Sequence, residues 1–209
     1  MKPQYCAIIG DINRSRTLPR RGQLQKKFAD AVAIINREYR DQVASRFLVT
    51  LGDEFQGLLK TPERSYELVR RFQDIVGNVT FSYGVGIGTL TTPLDPKLAI
   101  GMDGECFHRA RAAVSKAKKN RRQIVYDFDD PGLDLVNAMV AMLDKQWKFL
   151  GATQRKIAQL MKDQYRQVDI AKKLRISQQA VSKARRSSAL AEMQESVDAL
   201  QTFLGSLAP

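Results

Sequence analysis

Two carboxylates have the residue type and the spacing to bind a divalent metal ion. Asp11 comes just past the short apolar run 5–9, and Asp53 lies in the turn 52–54 between two runs of strand-forming residues. If those runs pair beside the first strand, both carboxylates can hold Mg²⁺ or Mn²⁺ together with a nucleoside triphosphate. Glu54 would lend a third oxygen or support the two ligands. The structural alternative is that Asp53 is an ordinary turn-forming residue.

The segment 167–186 has the pattern of two short helices joined by a tight turn. Apolar residues recur at helical spacing in each half, and Ser177 is placed to cap the second helix. The pattern resembles a helix-turn-helix whose recognition helix begins at Ser177. Arg175 stands where that motif most often has Gly, so we expect a small backbone strain in the turn.

The second helix of this segment is expected to present side chains that recognise DNA. Gln reads the edge of adenine, while Lys and Arg bind guanine or phosphate. The structural alternative is a plain helical hairpin with a solvated basic face. We therefore expect double-stranded DNA as a partner, contacted by Ser177, Gln178, Gln179, Ser182, Lys183, Arg185 and Arg186.

The charge composition agrees with a nucleic-acid partner. The chain has 34 Lys and Arg against 22 Asp and Glu, a net charge of +12, and a pI near 9.9. Residues 153–186 contain ten basic and two acidic residues, a net charge of +8. Such an excess favours salt-dependent contact with phosphate, and it coincides with the two-helix pattern.

Length and patterning predict two domains. A chain of 209 residues exceeds the usual domain of about 100–200 residues, and its 44% hydrophobic content is enough for a core. We expect an α+β domain over 1–130, a linker helix over 131–152 and an all-α helix-turn-helix domain over 153–209. The sequence has neither a bilayer-spanning apolar run nor a signal peptide. A cytoplasmic protein with reduced Cys6 and Cys106 is therefore expected.

In the N-terminal domain, strand-like and helical patterns alternate in the order βαββαβ, with one further helix and strand. This order predicts a ferredoxin-like α+β fold in which helices cover one face of an antiparallel sheet. The strands are expected at 5–9, 47–51, 55–59, 79–88 and 123–126, and the helices at 23–39, 62–76 and 106–119.

Glycines alternate along one predicted strand, at Gly84, Gly86 and Gly88. Their spacing does not fit a phosphate-binding loop. Gly inside a strand usually marks a bulge or a close approach of another backbone. A structural role is the favoured interpretation.

Apolar stripes mark the helix after Pro131 and the last helix. Core packing is the favoured interpretation. Since helix-turn-helix proteins commonly dimerise, the same stripes are candidates for the seam of a homodimer, which we expect. The stripes comprise Val136, Met139, Val140, Leu143 and Trp147 on the first helix, and Leu190, Met193, Val197, Leu200 and Phe203 on the last.

The run Leu51-Gly52-Asp53-Glu54-Phe55 resembles the signature turn of the GGDEF and class III nucleotide cyclase superfamily. In that superfamily an Asp at the end of the first strand and an acid in this hairpin bind the catalytic metals, and Asp11 and Asp53 match those places. The whole chain resembles the SatD family through IIGDINRSR, LGDEFQGLL, YGVGIG, AIGMDGECFHRARAAV and the C-terminal helix-turn-helix. The resemblance implies a cyclase-like domain joined to a DNA-binding domain.

Departures from the cyclase pattern argue against cyclisation. Class III cyclases usually carry a Lys four residues before the hairpin acid, where this chain has Val49. Aligned on Gly104, the positions of their transition-state Asn and Arg are His108 and Ala112. Loss of a preorganised cation is expected to slow a cyclase by several orders of magnitude. Nucleotide binding is not opposed by these changes.

Arg109 and Arg111, close to those positions, are the expected nucleotide-binding residues, with a solvated basic face as the alternative. Two hypotheses follow. The preferred one is a DNA-binding regulator whose cyclase-like domain binds a nucleotide or a divalent metal, or mediates dimerisation. The other is a nucleotide-processing enzyme that uses Mg²⁺ or Mn²⁺ at Asp11 and Asp53.

Overall fold

The chain divides into two units, one formed by 1–141 with 201–209 and the other by 142–200. The computed structural model describes residues 3–13, 21–50, 53–77 and 79–207, with the backbone alone for 21–24. Residues 14–20, 51 and 52, which include most of the basic loop after the first strand and part of the predicted hairpin turn, lie outside the described residues. The domain boundaries expected from the sequence stay predictions.

In its described residues the first unit has a mixed five-stranded sheet, three complete helices and parts of two more. The strand order is β2-β3-β1-β4-β5, so β1 lies in the centre. The predicted α+β class and the βαββαβ order of the first six elements are observed. The elements are β1 (Gln4–Ile12), α1 (Arg21–Glu38), β2 (Val43–Val49), β3 (Glu54–Leu59), α2 (Ser65–Val76), β4 (Phe81–Thr89), α3 (Glu105–Lys119) and β5 (Ile124–Asp127).

The sheet is not wholly antiparallel, contrary to the prediction. Strand β1 pairs antiparallel with β3 and β4, and β2 pairs antiparallel with β3. Strand β5, however, pairs parallel with β4. The chain leaves β4, passes along α3 and returns to the sheet edge, and a helical crossover of this kind makes the two strands parallel.

Helices cover both faces of the sheet, whereas one covered face was predicted. Consecutive strand residues point to opposite faces. Tyr83 of β4 contacts Phe72 of α2, with ring centroids 6.2 Å apart. The next residue, Gly84, lies under α3, where an added Cβ would be 2.1 Å from the carbonyl oxygen of Ala110. The close backbone approach predicted for these glycines is therefore observed.

Aromatic rings fill the core between the sheet and the helices α1 and α2. Phe28 of α1 and Phe72 of α2 both pack against Phe55 of β3, with centroids 5.8 and 4.4 Å apart. All three side chains are at most 1% exposed. Burial of such large apolar surfaces is the main favourable contribution to folding, so this cluster fixes the strands that carry the acidic residues.

Helices make up the described part of the second unit. They are α5 (Ala152–Lys162), α6 (Gln167–Leu174) and α7 (Gln178–Ser187), with parts of α4 (Leu133–Phe149) and α8 (Leu190–Ser206). Leu143 of α4 is buried in this unit, and Val136 and Val140 of the same helix are buried in the first unit, as core packing requires. Among the described residues, no helix is long and apolar enough to cross a bilayer.

Candidate functional site

Asp11 and Glu54 lie opposite each other on neighbouring strands. Strand β1 extends to Ile12, so Asp11 lies inside the strand rather than past its end, and its paired residue on β3 is Glu54. Directly paired residues point to the same face of a sheet. Asp53 precedes β3, and its carbonyl oxygen accepts a hydrogen bond of 2.9 Å from the backbone N–H of Ile12. The structure thus brings together the three acids that the sequence singled out.

Two cations of α3 contact these carboxylates. The Nζ atom of Lys118 lies 2.5 Å from Oδ2 of Asp11. Arg111 donates from both terminal nitrogens to Glu54, with 2.9 Å between Nη2 and Oε1. Paired donation of this kind fixes both the orientation and the distance of the guanidinium. The site is therefore a mixed-charge cluster of two carboxylates on strands and two cations on a helix.

Burial and neighbouring charges perturb these groups. Burial raises the pKa of Asp11, the contact with Lys118 lowers it, and the negative charges of Asp53 and Glu54 raise it further, so that the net shift is upward. The hydrogen bonds to Glu54 raise the pKa of Arg111. Ionised Asp11 therefore depends on nearby positive charge.

Polar side chains extend the cluster along the sheet. Ser82 of β4 pairs with Asp11 on the other side of β1. Its buried hydroxyl donates a 3.0 Å hydrogen bond to Oδ1 of Asn13. On the opposite side, the hydroxyl of Thr50 donates to Oε1 of Glu54 at 3.2 Å. The carboxylates thus lie in a continuous polar row at one end of three strands.

The carboxylate oxygens are suitable ligands for a hard divalent cation, but they are already paired with cations of the chain. Carboxylate oxygens are the ligands that Mg²⁺ and Mn²⁺ prefer. Asp11 and Glu54, however, each already contact a cation of the same chain. In the part of the chain that the structure describes, no group of three or more His, Cys, Asp or Glu side chains is arranged to hold a metal. A metal at Asp11 and Glu54 must therefore replace Lys118 and Arg111.

Arg109 lies away from the acidic cluster, although it was predicted to act with Arg111. Its guanidinium donates to the carbonyl oxygen of Ile87 at 2.6 Å and pairs with Glu105 at 2.7 Å. Ile87 is paired with Cys6 of β1, which is five residues, or about 16 Å at strand spacing, from Asp11. Of the two predicted arginines, only Arg111 is brought to the carboxylates.

Lys118 was missed by sequence reasoning, although the sequence contains a weak signal for it. Arg111 and Lys118 are seven residues apart, close to two helical turns, and therefore project from the same side of α3. Arg109 and Lys116 have the same spacing, so the spacing alone does not single out Lys118. Nothing local in the sequence identifies Asp11 and Glu54 as the partners of these cations.

A second candidate site lies on α7 in the other unit. Ser177 accepts a hydrogen bond of 3.0 Å from the backbone N–H of Ala180, the N-cap that the sequence predicted. Arg175 is in the left-handed region, with φ 55° and ψ 45°, as the expected strain requires. Ile170 of α6 and Val181 of α7 are fully buried. Each helix thus has one apolar side turned inward.

The opposite side of α7 presents the predicted DNA-contacting residues to solvent. Ser177 at the N-cap is exposed, and Ser182 and Arg185 are half-buried. This surface, which we call the α7 face, carries two amides near the start of the helix and two cations further along it. Its exposed side chains are Gln178, Gln179, Lys183 and Arg186.

Several solved structures are similar to part of this chain. One is a bacterial light-regulated adenylyl cyclase, at 12% identity and a TM-score of 0.41, over 59% of this chain and 75% of that one. A second is the monomeric guanylyl cyclase domain of the RhoGC fusion protein from the aquatic fungus Blastocladiella emersonii (18% identity, TM-score 0.40, 55% of this chain and 75% of that one). A third is an EAL/GGDEF domain protein from M. capsulatus, at 16% identity and a TM-score of 0.38, over 62% of this chain and 86% of that one.

No curated protein sequence matches the chain. A family model, however, matches more of the chain than these solved structures do. The model of the SatD family matches residues 5–196, which cover both candidate sites.

Proposed function

The chain belongs to the SatD family, and we propose that it is a regulatory protein that binds double-stranded DNA through the α7 face. The observation that carries this proposal is the exposure of Gln178, Gln179, Lys183 and Arg186 on a capped helix that is anchored by the buried side chain of Val181. Amides supply base readout and cations supply phosphate contacts. The α6–α7 turn supports the same function, since a recognition helix must project from a fixed support.

Fluorescence anisotropy with a labelled mixed-sequence duplex tests the proposal. We expect binding at low salt that weakens steeply as salt rises, because cations on the α7 face release counter-ions from the phosphates. Selection from a random duplex library then identifies the preferred sequence. Failure to bind any duplex at low salt, with and without a nucleoside triphosphate, would sink the regulator proposal.

We further propose that the α+β unit binds a nucleoside triphosphate with Mg²⁺ or Mn²⁺ at Asp11 and Asp53, assisted by Glu54. Two observations support this. The carboxylates of Asp11 and Glu54 lie on paired strands, and Asp53 is close enough for its charge to raise the pKa of Asp11. Arg111 is half-exposed beside Glu54 and supplies a cation for the phosphate once the metal has taken its place at Glu54. The metal would neutralise phosphate charge and fix its orientation.

A nucleotide-processing enzyme is the second candidate, favoured by the same acidic cluster. Val49, His108 and Ala112 stand where cyclases carry catalytic residues, so hydrolysis or another phosphoryl transfer is a better candidate than cyclisation. Mass spectrometry of nucleoside triphosphates incubated with the protein and Mn²⁺ distinguishes the outcomes. A product that disappears in Asp11→Asn and Asp53→Asn supports the enzyme, and binding without a product supports the regulator.

A homodimer is proposed as the form that binds DNA, with α4 as its contact. Val136, Val140 and Leu143 of the stripe expected as a seam are buried within the chain, so the contact is proposed instead on Leu135, Met142 and Phe149, which are 68%, 74% and 72% exposed. Residues seven apart stay on nearly the same side of a helix, with a drift of about 20°. Asp134 lies near the start of α4 and Lys148 near its end, so two antiparallel copies would set acid against base. A second copy of this chain is therefore the partner that fits.

Sedimentation velocity tests the homodimer. We expect wild type to sediment as a dimer and Met142→Asp to dissociate, because a charge would be buried at the centre of the contact. Leu98→Asp is the matched control, since Leu98 is also an exposed apolar residue, at 44%, but lies outside α4. A monomeric wild type, or equal effects of both substitutions, would exclude this contact.

A further inference from the structure

We propose that Lys118 and Arg111 act as exchangeable counter-ions, so that a divalent metal ion and a phosphate group bind to the α+β unit only together. The inference rests on the proposed nucleotide site and adds that the binding of the metal and the binding of the phosphate depend on each other. Without ligand, the two cations hold Asp11 and Glu54. With ligand, the metal takes the carboxylates and the two cations turn to the phosphate.

The contacts separate a fixed half of the cluster from an adjustable half. The carboxylates are on sheet strands, with side chains only 16% exposed for Asp11 and 11% for Glu54. The cations are the longer side chains, and they are 44% exposed for Lys118 and 51% for Arg111. Long, half-exposed side chains change rotamer easily, whereas carboxylates on paired strands stay in place.

The helix that carries the cations does not need to move. Its backbone lies directly on β4, because added Cβ atoms at Gly84 and Gly86 would lie 2.1 and 2.2 Å from carbonyl oxygens of Ala110 and Cys106. So close an approach holds α3 against the sheet. Exchange therefore involves the side chains of Lys118 and Arg111 alone.

Charge balance explains why the two ligands depend on each other. The ion pairs of Asp11 with Lys118 and of Glu54 with Arg111 are neutral in sum, and Asp53, whose charge acts on Asp11, adds one negative charge beside them. A divalent metal alone would add two positive charges beside two cations that lose their partners, and a phosphate alone would face two carboxylates. Both arrangements are repulsive at contact distance. When both ligands are present, each charge again has an opposite charge beside it.

Binding measurements on the full chain test this coupling without a turnover assay. The Mn²⁺ affinity is measured by electron paramagnetic resonance, alone and with a saturating non-hydrolysable analogue of ATP. The analogue is then titrated with and without Mn²⁺. We expect each ligand to tighten the binding of the other by at least about tenfold and by the same factor, since coupling is reciprocal.

Lys118→Met gives the decisive comparison. Without the counter-ion, Mn²⁺ alone should bind several-fold more tightly than to wild type, and the effect of the analogue should shrink. Lys116→Met is the matched control, because it removes the same charge from an exposed residue of the same helix. Thermal unfolding verifies that both variants fold. If Lys118→Met does not fold, Arg111→Lys takes its place in the comparison, because it keeps the charge but loses the paired donation to Glu54.

The outcomes separate this inference from the function beneath it. If Mn²⁺ and the analogue each bind wild type but ignore each other, the exchange is wrong and the nucleotide site survives. If the analogue binds and Mn²⁺ does not, Lys118 and Arg111 replace the metal permanently, which also overturns the exchange. If neither binds under any condition, the proposed nucleotide function fails and the exchange with it.

Discussion

Lys118, in the last turn of α3, lies with its Nζ atom 2.5 Å from Oδ2 of Asp11 near the end of β1. The contact joins a helix that follows β4 to the central strand of the sheet. It lies beside the pair of Arg111 with Glu54, so both cations on this side of α3 contact a carboxylate of the sheet. Asp11 and Glu54 are therefore both ion-paired with cations of the same helix.

The pH dependence of stability should report on Asp11. Burial raises its pKa above the ordinary 3.8 in the folded state, so the folded chain binds this proton more tightly than the unfolded chain. The stability contributed by protonated Asp11 is then present at low pH and is lost as pH rises through the folded pKa. Asp11→Asn should lose less stability than wild type over that rise, as measured by urea unfolding at a series of pH values.

The opposite pH dependence would show that the ion pair of Asp11 dominates its contribution to stability. If Asp11→Asn becomes steadily less stable than wild type as the pH rises above 3.8, the ion pair with Lys118 outweighs the cost of burial. Asp198→Asn, a change at a carboxylate on the exposed side of α8, controls for the general effect of removing a negative charge from a basic protein.

Gly84→Ala should destabilise the α+β unit by about 3 kcal/mol, because the new Cβ meets backbone atoms that cannot rotate away. The nearest are the carbonyl oxygen of Ala110 at 2.1 Å and the nitrogen of Val114 at 2.3 Å. Urea unfolding measures the loss. Gly151→Ala is the control, since φ is −69° there and an added Cβ would lie 3.5 Å from Oε1 of Gln154, an ordinary van der Waals distance. Equal stability of the two variants would mean that α3 does not lie this close to β4.

Substitutions on the α7 face should separate affinity from specificity. Lys183→Ala and Arg186→Ala should weaken binding to all duplexes and lower the salt slope by about one each, as lost phosphate contacts do. Gln179→Ala should instead change the preferred sequence, at about 1–3 kcal/mol for a good base contact. Anisotropy titrations at several salt concentrations measure both. Lys116→Ala, in the other unit, should leave DNA binding unchanged, and equal losses from all substitutions would indicate a merely nonspecific charge effect.

Arg175→Gly should stabilise the α6–α7 turn. A left-handed residue other than Gly costs about 1–2 kcal/mol, and φ is 55° at Arg175. The greater freedom of Gly in the unfolded chain offsets about 0.5–1 kcal/mol. The net gain in unfolding free energy should therefore be up to about 1 kcal/mol, measured by urea unfolding. Ser177→Ala, which removes the N-cap, should lose about 1 kcal/mol; a loss in Arg175→Gly as well would mean that the arginine side chain outweighs the strain.

Local features of the fold were predictable because their causes are local. The basic helix predicted over 106–119 is present at Glu105–Lys119, and the position of Ser177 predicted its N-cap hydrogen bond. Strand ends were predicted less well. Strand β1 continues through Asp11 to Ile12, because hydrogen bonds from β3 and β4, which no local pattern contains, extend it.

The sequence by itself determined the order of the elements, the glycines that admit α3 and the identity of the acids, since these depend on residue type and spacing. Only the tertiary structure decided which face α3 covers and which charges meet. Lys118 is far from Asp11 along the chain, and Arg111 is far from Glu54. Their contacts exist because the parallel pairing of β4 and β5 carries α3 back across β1. Periodicity cannot encode a pairing that arises from the packing of separate elements.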